Sequence, residues 1–344
     1  MEDGTLFEAK KVTKYFELQK TFSETLFRKK ARRVHAVDGV SLKVKRGEVM
    51  GLIGESGSGK TTFGWLATKL LTPTSGRVIF NDTDVTDLHG EELRTWRRNI
   101  QIVFQDPLTS LDPRLKVWQI IGEPLRASGI RNRKEILERV KTVLDEVGLP
   151  ENSYNQYPHE FSGGGRQRIS VARAIVLNPK MIVLDEPTSA LDVAVQAQIL
   201  NRLVELQNER HLTYLFISHN IGAVRYISDS VAIMYLGKVM ETGSVMEVIE
   251  KPMHPYTKAL LISVPVPDPK RRKFKFEMEG EIPSLIDIPR GCRFAGRCPF
   301  TKEECRTAEP ELRDLGSGHY VACHFAEELA ENNTLTSGWR RHNF

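Results

Sequence analysis

Gly54-Glu55-Ser56-Gly57-Ser58-Gly59-Lys60-Thr61 fits the spacing G-x-x-x-x-G-K-[ST], that of a loop built to cradle phosphate. Before it, Glu48-Val49-Met50-Gly51-Leu52-Ile53 reads as a buried strand, and after it Thr61 to Leu71 reads as a helix. The loop therefore turns a strand into a helix N-terminus, where backbone N–H groups converge on an anion. Glycines at 54, 57 and 59 open conformations that a Cβ forbids and let a phosphate come close. Lys60 is placed to reach the outer phosphates and the Thr61 hydroxyl to ligate Mg²⁺, with Glu55, Ser56, Ser58 and Thr62 completing the nucleotide-contacting run. The expectation is a nucleoside triphosphate site, because an eight-residue glycine pattern between a strand and a helix seldom arises by chance.

A chain of 344 residues buries a full core and leaves room for an appendage. Its formal charge of +5, from 49 basic and 44 acidic residues, is a mild pointer to a polyanionic partner and decides nothing alone. No run of eighteen apolar residues occurs, and Met1-Glu2-Asp3-Gly4 lacks the basic-then-apolar order of a secretion signal, so a cytosolic chain that does not span the membrane is expected.

Phe7 to Tyr15 and Val34 to Lys45 read as strands of a half-exposed antiparallel sheet. Between them Arg28-Lys29-Lys30-Ala31-Arg32-Arg33 is a basic run, either a solvated loop or a contact for phosphate. Arg77 to Phe80, Ile100 to Phe104, Met181 to Leu184, Tyr214 to Ser218 and Val231 to Glu241 supply further strands, the last folding into a hairpin at Gly237. Ile136, Leu137, Val140, Val143, Leu144 and Val147 keep the one-sided 3.6-residue period of an amphipathic helix. Strands alternating with helices mean a layered α/β fold. Pro252, Pro255, Pro265, Pro267 and Pro269 crowd one interval, which suggests a nucleotide-binding domain over residues 1–250, an extension over 251–330 and a polar tail over 331–344.

Met181-Ile182-Val183-Leu184-Asp185-Glu186 is an apolar strand ending in two acids, the form of a Walker B strand. Asp185 would hold Mg²⁺ opposite Thr61 and Glu186 would polarise the attacking water. Phe161-Ser162-Gly163-Gly164-Gly165-Arg166-Gln167-Arg168 runs glycines into a helix with a basic start. Here the chain resembles the ATP-binding-cassette (ABC) ATPases, whose signature reads Leu-Ser-Gly-Gly-Gln before such a helix. The resemblance covers roughly Phe7 to Met246 with every element in order. It implies a P-loop fold with a RecA-like core, an antiparallel β-subdomain and a helical signature subdomain over about residues 107–175. Gln105 would be the lid-loop glutamine that senses Mg²⁺ or water, Ser189-Ala190-Leu191-Asp192 the D-loop, and His219 the switch histidine on the γ-phosphate. Phe16, or failing that Tyr15, would stack on adenine. Two such domains would pair head to tail, so that Ser162, Gly163 and Gly164 close over ATP held by the partner. Gly165 departs from the pattern, standing where the family has Gln.

Val103-Phe104-Gln105-Asp106-Pro107-Leu108-Thr109-Ser110-Leu111-Asp112-Pro113 and His254-Pro255-Tyr256-Thr257-Lys258-Ala259-Leu260 resemble the ATPase subunits of oligopeptide and dipeptide importers, closest to the F-type one. That resemblance implies a heterodimer with a second ATPase subunit, two transmembrane permease subunits, an extracellular solute-binding protein as indirect partner, and a peripheral place on the cytoplasmic face of the membrane. Members of this subgroup also carry short oligosaccharides or nickel. The rival class is a soluble ABC ATPase acting on nucleic acid or ribosomes; such proteins carry two cassettes or long coiled-coil insertions, which this chain lacks, so no nucleic-acid partner is expected.

All four cysteines fall late, as Cys292-x5-Cys298-x6-Cys305-x17-Cys323. A reducing compartment favours a metal over disulfides. Structural zinc prefers close Cys-x₂₋₄-Cys pairs, whereas a [4Fe–4S] cluster tolerates irregular spacing, so the cluster is the first reading, Zn²⁺ the alternative and unligated thiols the third.

Overall fold

The computed structural model describes residues 4–18, 32–263 and 283–331. Its strands are β1 (Thr5–Glu17), β2 (Arg33–Lys45), β3 (Val49–Ile53), β4 (Ser75–Phe80), β5 (Thr83–Asp84), β6 (Ile100–Val103), β7 (Met181–Asp185), β8 (Thr213–Ser218), β9 (Ser230–Tyr235), β10 (Lys238–Ser244), β11 (Arg313–Asp314) and β12 (Tyr320–Val321). They form a four-stranded sheet in the order β2-β1-β4-β5 and an eight-stranded sheet in the order β11-β12-β10-β9-β3-β8-β7-β6. The first is antiparallel, with Phe7 opposite both Val44 and Phe80, as the alternation of β2 predicts. In the second, β3, β6, β7, β8 and β9 run parallel, and their near-continuous apolar sequences reflect burial on both faces.

β3 lies at the centre, between β9 and β8, so the loop that follows it opens at the carboxyl edge of a parallel sheet, where ligands gather in α/β folds. The helix after the loop spans Lys60–Ala67, ending earlier than the apolar run to Leu71 suggests. The Thr68 hydroxyl donates to Gly64 O at 3.1 Å and Lys69 turns left-handed at φ 53°, which stops the helix. One apolar core lies between the two sheets, around Phe7, Phe63, Val183 and Ile217. The other joins the opposite face of the large sheet to the helices Val117–Ala127, Arg133–Glu146 and Gly163–Ile175. The predicted amphipathic stripe faces it: Ile136, Val140, Val143 and Leu144 are all buried.

Past Glu250 the chain stays with this body. β12 pairs with β10 through Glu241 and Val321, and Cys292, Phe294, Ala295 and Cys305 belong to the same apolar cluster as β3 and β8. Arg28 to Ala31 of the basic run, Pro265, Pro267 and Pro269, and the tail from residue 332 onward lie outside the described residues.

Gly51 in β3 shows how tightly the central strand is covered. A Cβ there would come within 2.4 Å of Val224 Cγ1 and 2.9 Å of Ser228 Oγ, so the helix Ile221–Ile227 lies directly on the strand. Gly51→Ala is expected to overpack this contact and lower stability by about 1–3 kcal/mol in urea unfolding. A midpoint equal to that of the unsubstituted chain would contradict this packing.

Candidate functional site

The phosphate loop is drawn in by backbone contacts that only glycine tolerates. A Cβ on Gly54 would stand 2.1 Å from Met234 O, and Gly59, at φ 101°, would bring one to 2.1 Å from Ala36 O. The β9–β10 hairpin braces the loop from outside, since Gly237 N donates to Ser58 O at 2.9 Å. Lys60 is 5% exposed, and its ammonium donates to Gly54 O at 2.8 Å and Glu55 O at 2.9 Å. Burial holds it below the ordinary lysine range, opposed by the charges of Glu186, Asp185 and Glu55. A phosphate would supply the strong acceptors that this ammonium now takes from the loop's own carbonyls.

The loop meets β7 through Thr61, whose hydroxyl donates to Asp185 Oδ1 at 3.0 Å. Burial pushes the Asp185 carboxyl up to about 6, and the charge of Glu186 adds to the effect, while Thr61 and Lys60 act against it. A hydroxyl and a buried carboxylate at this separation suit a hard cation with oxygen ligands, such as Mg²⁺. Glu186 follows in the left-handed region at φ 47°, its N–H donating to Ile217 O at 2.9 Å. That conformation costs a non-glycine residue about 1 kcal/mol. It accompanies a carboxylate 2.8 Å from His219 Nδ1, the histidine just past the end of β8. Lys60, Thr61, Asp185, Glu186 and His219, predicted from separate stretches, thus gather at one edge of the sheet.

Gln105 stands exposed two residues beyond β6. Asp106 then caps the short helix Pro107–Ser110 by accepting from Leu108 N at 2.8 Å. Of the two candidate aromatics, Tyr15 is engaged: its hydroxyl donates to Asp38 Oδ1 at 2.6 Å and its ring leans on His35 with centroids 4.0 Å apart. Phe16 is 38% exposed, with the Lys14 ammonium over its ring at 5.4 Å from the centroid.

Ser162 caps the signature helix, its Oγ accepting from Gly165 N at 3.3 Å. Ser162 and Gly163 are exposed, while Gly164 is buried against the D-loop helix, where a Cβ would meet Val195 Cγ1 at 2.5 Å. At Gly165 a Cβ would lie 3.0 Å from Phe161 Cβ and 3.1 Å from its Cδ1, so a longer side chain needs the half-buried Phe161 ring to give way. The half-buried Arg173 of the same helix donates to Ser110 O at 2.7 Å, a link to the Gln105 segment that no motif announced.

The four cysteines line one small cavity with His254, Phe294, Phe300 and Phe325. All four are free thiols. Burial pushes Cys292 up to about 12 and Cys323 up to about 11, and raises Cys298 as well. Among the described residues no group of three or more His, Cys, Asp or Glu side chains stands close enough to hold a metal ion. The soft donors therefore converge on one space without forming a coordination shell.

Two residues beside the loop escaped the sequence reading. Tyr256 accepts from Glu55 N at 3.0 Å, and Arg297 pairs with the Glu55 carboxylate. Tyr256 lies in the His254-Pro255-Tyr256 run and Arg297 next to Cys298, but neither spacing carries a chemical pattern that points 201 or 242 residues back along the chain.

A family model described as ABC transporter matches residues 37–189, and one described as oligopeptide/dipeptide transporter, C-terminal region, matches residues 240–305. An oligopeptide transport ATP-binding protein of Bacillus subtilis, AppF, is 48% identical over 324 residues, covering 93% of this chain and 97% of its own. Among solved structures, the dimeric, ADP- and phosphate-bound ATP-binding cassette MJ0796 is similar with a TM-score of 0.61 at 30% identity, over 70% of this chain and 99% of its own. The cassette cbiO1 of Clostridium perfringens is similar with a TM-score of 0.60 at 30% identity, over 72% of this chain and 91% of its own. With the phosphate loop, the acid-ended strand and the signature helix on one such frame, the chain belongs to the ABC transporter ATPases and carries the C-terminal region of their oligopeptide/dipeptide branch.

Proposed function

We propose that this ATPase energises the import of oligopeptides or dipeptides through a membrane permease, pairing with a second ABC ATPase subunit. The observation that carries this reading is the end-to-end likeness to an oligopeptide transport ATP-binding protein, which includes the cysteine-bearing extension as well as the cassette. No similar support exists for cargo of short oligosaccharides or nickel, or for a soluble ATPase acting on nucleic acid or ribosomes. Among the described residues no helix is long and apolar enough to cross a membrane, so the spans would belong to the permease subunits. A peripheral place on the cytoplasmic face and an extracellular binding protein as indirect partner complete the proposal. Within the chain, residues 1–250 act as the cassette and 251–330 as the extension.

In this reading the loop N–H groups and Lys60 bind the phosphates, and Thr61 and Asp185, with Gln105, would hold Mg²⁺, which would offset charge on the phosphates. Glu186 accepts a proton from the attacking water, and His219, hydrogen-bonded to it, fixes its carboxylate and donates to the γ-phosphate side. Ser162, Gly163 and Gly164 close on ATP held by the partner subunit. Motion of the Gln105 segment passes to the signature helix through Arg173 and Ser110 and outward through the exposed Leu108 to the permease. The four cysteines, which line one cavity, would hold a [4Fe–4S] cluster in a structural role, with Zn²⁺ as the second reading. Burial raises the Cys292, Cys298 and Cys323 thiols, and a bound cation is what would draw off the protons.

Glu186→Gln is expected to keep ATP binding and lower turnover at its own site by about 10²–10⁴-fold, as loss of a general base does. Near-normal single-site hydrolysis would remove Glu186 from that role. Gly165→Gln is expected to raise hydrolysis in a heterodimer whose own Glu186 is disabled, and to do little when the partner's catalytic glutamate is disabled instead. Equal effects in both backgrounds would sink the assignment of the signature to the partner's nucleotide. Anaerobically purified protein is expected to contain about four iron and four sulfide per chain. Colourless protein with one zinc would select the second reading.

A further inference from the structure

The phosphate loop carries a carboxylate of its own. Glu55 follows Gly54 at the start of the loop, and a negative charge there opposes a triphosphate unless something offsets it. The offset comes from the C-terminal extension. Arg297 Nη1 and Nη2 donate to Glu55 Oε2 and Oε1 at 2.7 and 3.1 Å, a two-pronged pair. The Arg297 side chain is 8% exposed and that of Glu55 18%, so water screens the pair weakly. Among the described residues the only further acceptor of this guanidinium is the Tyr235 hydroxyl at 3.4 Å, and its buried Nε finds no partner there. Glu55 is therefore what the buried cation is arranged around.

The same residue is held by its backbone. The Tyr256 hydroxyl accepts from Glu55 N at 3.0 Å. Tyr256 is fully buried, its ring wedged against Tyr235 and Phe294 with centroids 4.6 and 5.4 Å away. Phe294 sits in the turn between Cys292 and Cys298, so the cysteine-lined cavity and the phosphate loop share one packed unit.

We propose that Arg297 and Tyr256 are positioning residues of the nucleotide site: Arg297 neutralises the Glu55 carboxylate and holds it on the extension, and Tyr256 fixes the backbone where the phosphate loop begins. The extension thereby sets the affinity for MgATP, in addition to any role of its cysteines. The inference rests on Gly54 to Thr61 being the ATP loop.

The test measures MgATP and MgADP dissociation constants on the full chain by displacement of a fluorescent nucleotide. The unsubstituted protein, measured in parallel, establishes separately that the loop binds ATP. Arg297→Ala leaves a carboxylate facing the phosphates, so MgATP affinity is expected to fall on the order of tenfold. The loss is larger for MgATP than for MgADP and shrinks as salt is raised. Adding Glu55→Gln to Arg297→Ala removes the uncompensated charge and restores most of the affinity. A merely structural role predicts the opposite, because the double substitution deletes both partners of a packed contact. Tyr256→Phe loses one hydrogen bond and no charge, so its deficit, about fivefold, is expected not to vary with salt. Arg297→Gln, with and without Glu55→Gln, repeats the comparison if Arg297→Ala does not fold. An unchanged affinity in folded Arg297→Ala or Arg297→Gln, a deficit that salt does not touch, or a double variant no better than the single one would each overturn the proposal.

Discussion

A loop that binds phosphate through its backbone must leave several N–H groups pointing at an empty space, and such groups are costly to hold in place. Around Gly54 to Thr61 other polar atoms of the loop are satisfied partly by its own lysine and partly from outside it. Gly237 N takes Ser58 O, the Lys60 ammonium takes Gly54 O and Glu55 O, and the Tyr256 hydroxyl takes Glu55 N. The central position of β3, bordered on both sides by parallel neighbours, gives the loop a rigid base. The rest of the molecule depends on that constraint.

The residues that would work on the phosphates also serve the turns they stand in. Ser162 and Asp192 cap the helices that follow the signature and the D-loop, and Asn220, beside His219, caps the helix after β8. Asp106, beside Gln105, does the same. A helix N-terminus needs a side-chain acceptor for its first N–H groups, and the carboxyl edge of a parallel sheet is where strands hand over to helices. Chemistry and capping therefore fall on adjacent residues, and a substitution at any of these turns disturbs both.

The extension is part of the same physical problem. β12 continues the large sheet beyond β10, Cys292, Phe294 and Cys305 join the core that lines β3, and Arg293 ties Leu236 O and Asp38 to the far side of the same hairpin. The matched families change between residues 189 and 240, while the apolar core and the sheet run on into the extension without a break.

Much of this protein was legible in the sequence because its chemistry is local. The phosphate loop needs glycines and a lysine within eight residues, β7 needs an apolar run that ends in acids, and the signature needs glycines at a helix start, so each announces itself by spacing. The apolar strands of the large sheet and the antiparallel pairing of β1 with β2 were legible in apolar periodicity, whereas the order of the parallel strands came only with the fold. What the sequence left open depended on partners far apart along the chain. Tyr15 and Phe16 are equivalent as aromatics, and only the contacts of Tyr15 with Asp38 and His35 distinguish them. Gly51 reads as one more small residue in an apolar strand until the helix lying on it is seen. Glu55 and Arg297 are each ordinary charged residues in sequence, and their pairing exists only because β10 carries the extension back to the phosphate loop. Sequence spacing determines which groups can do chemistry within one turn, whereas long-range packing decides which buried charges compensate one another, since a charge taken from water must find its counterpart wherever the fold brings one.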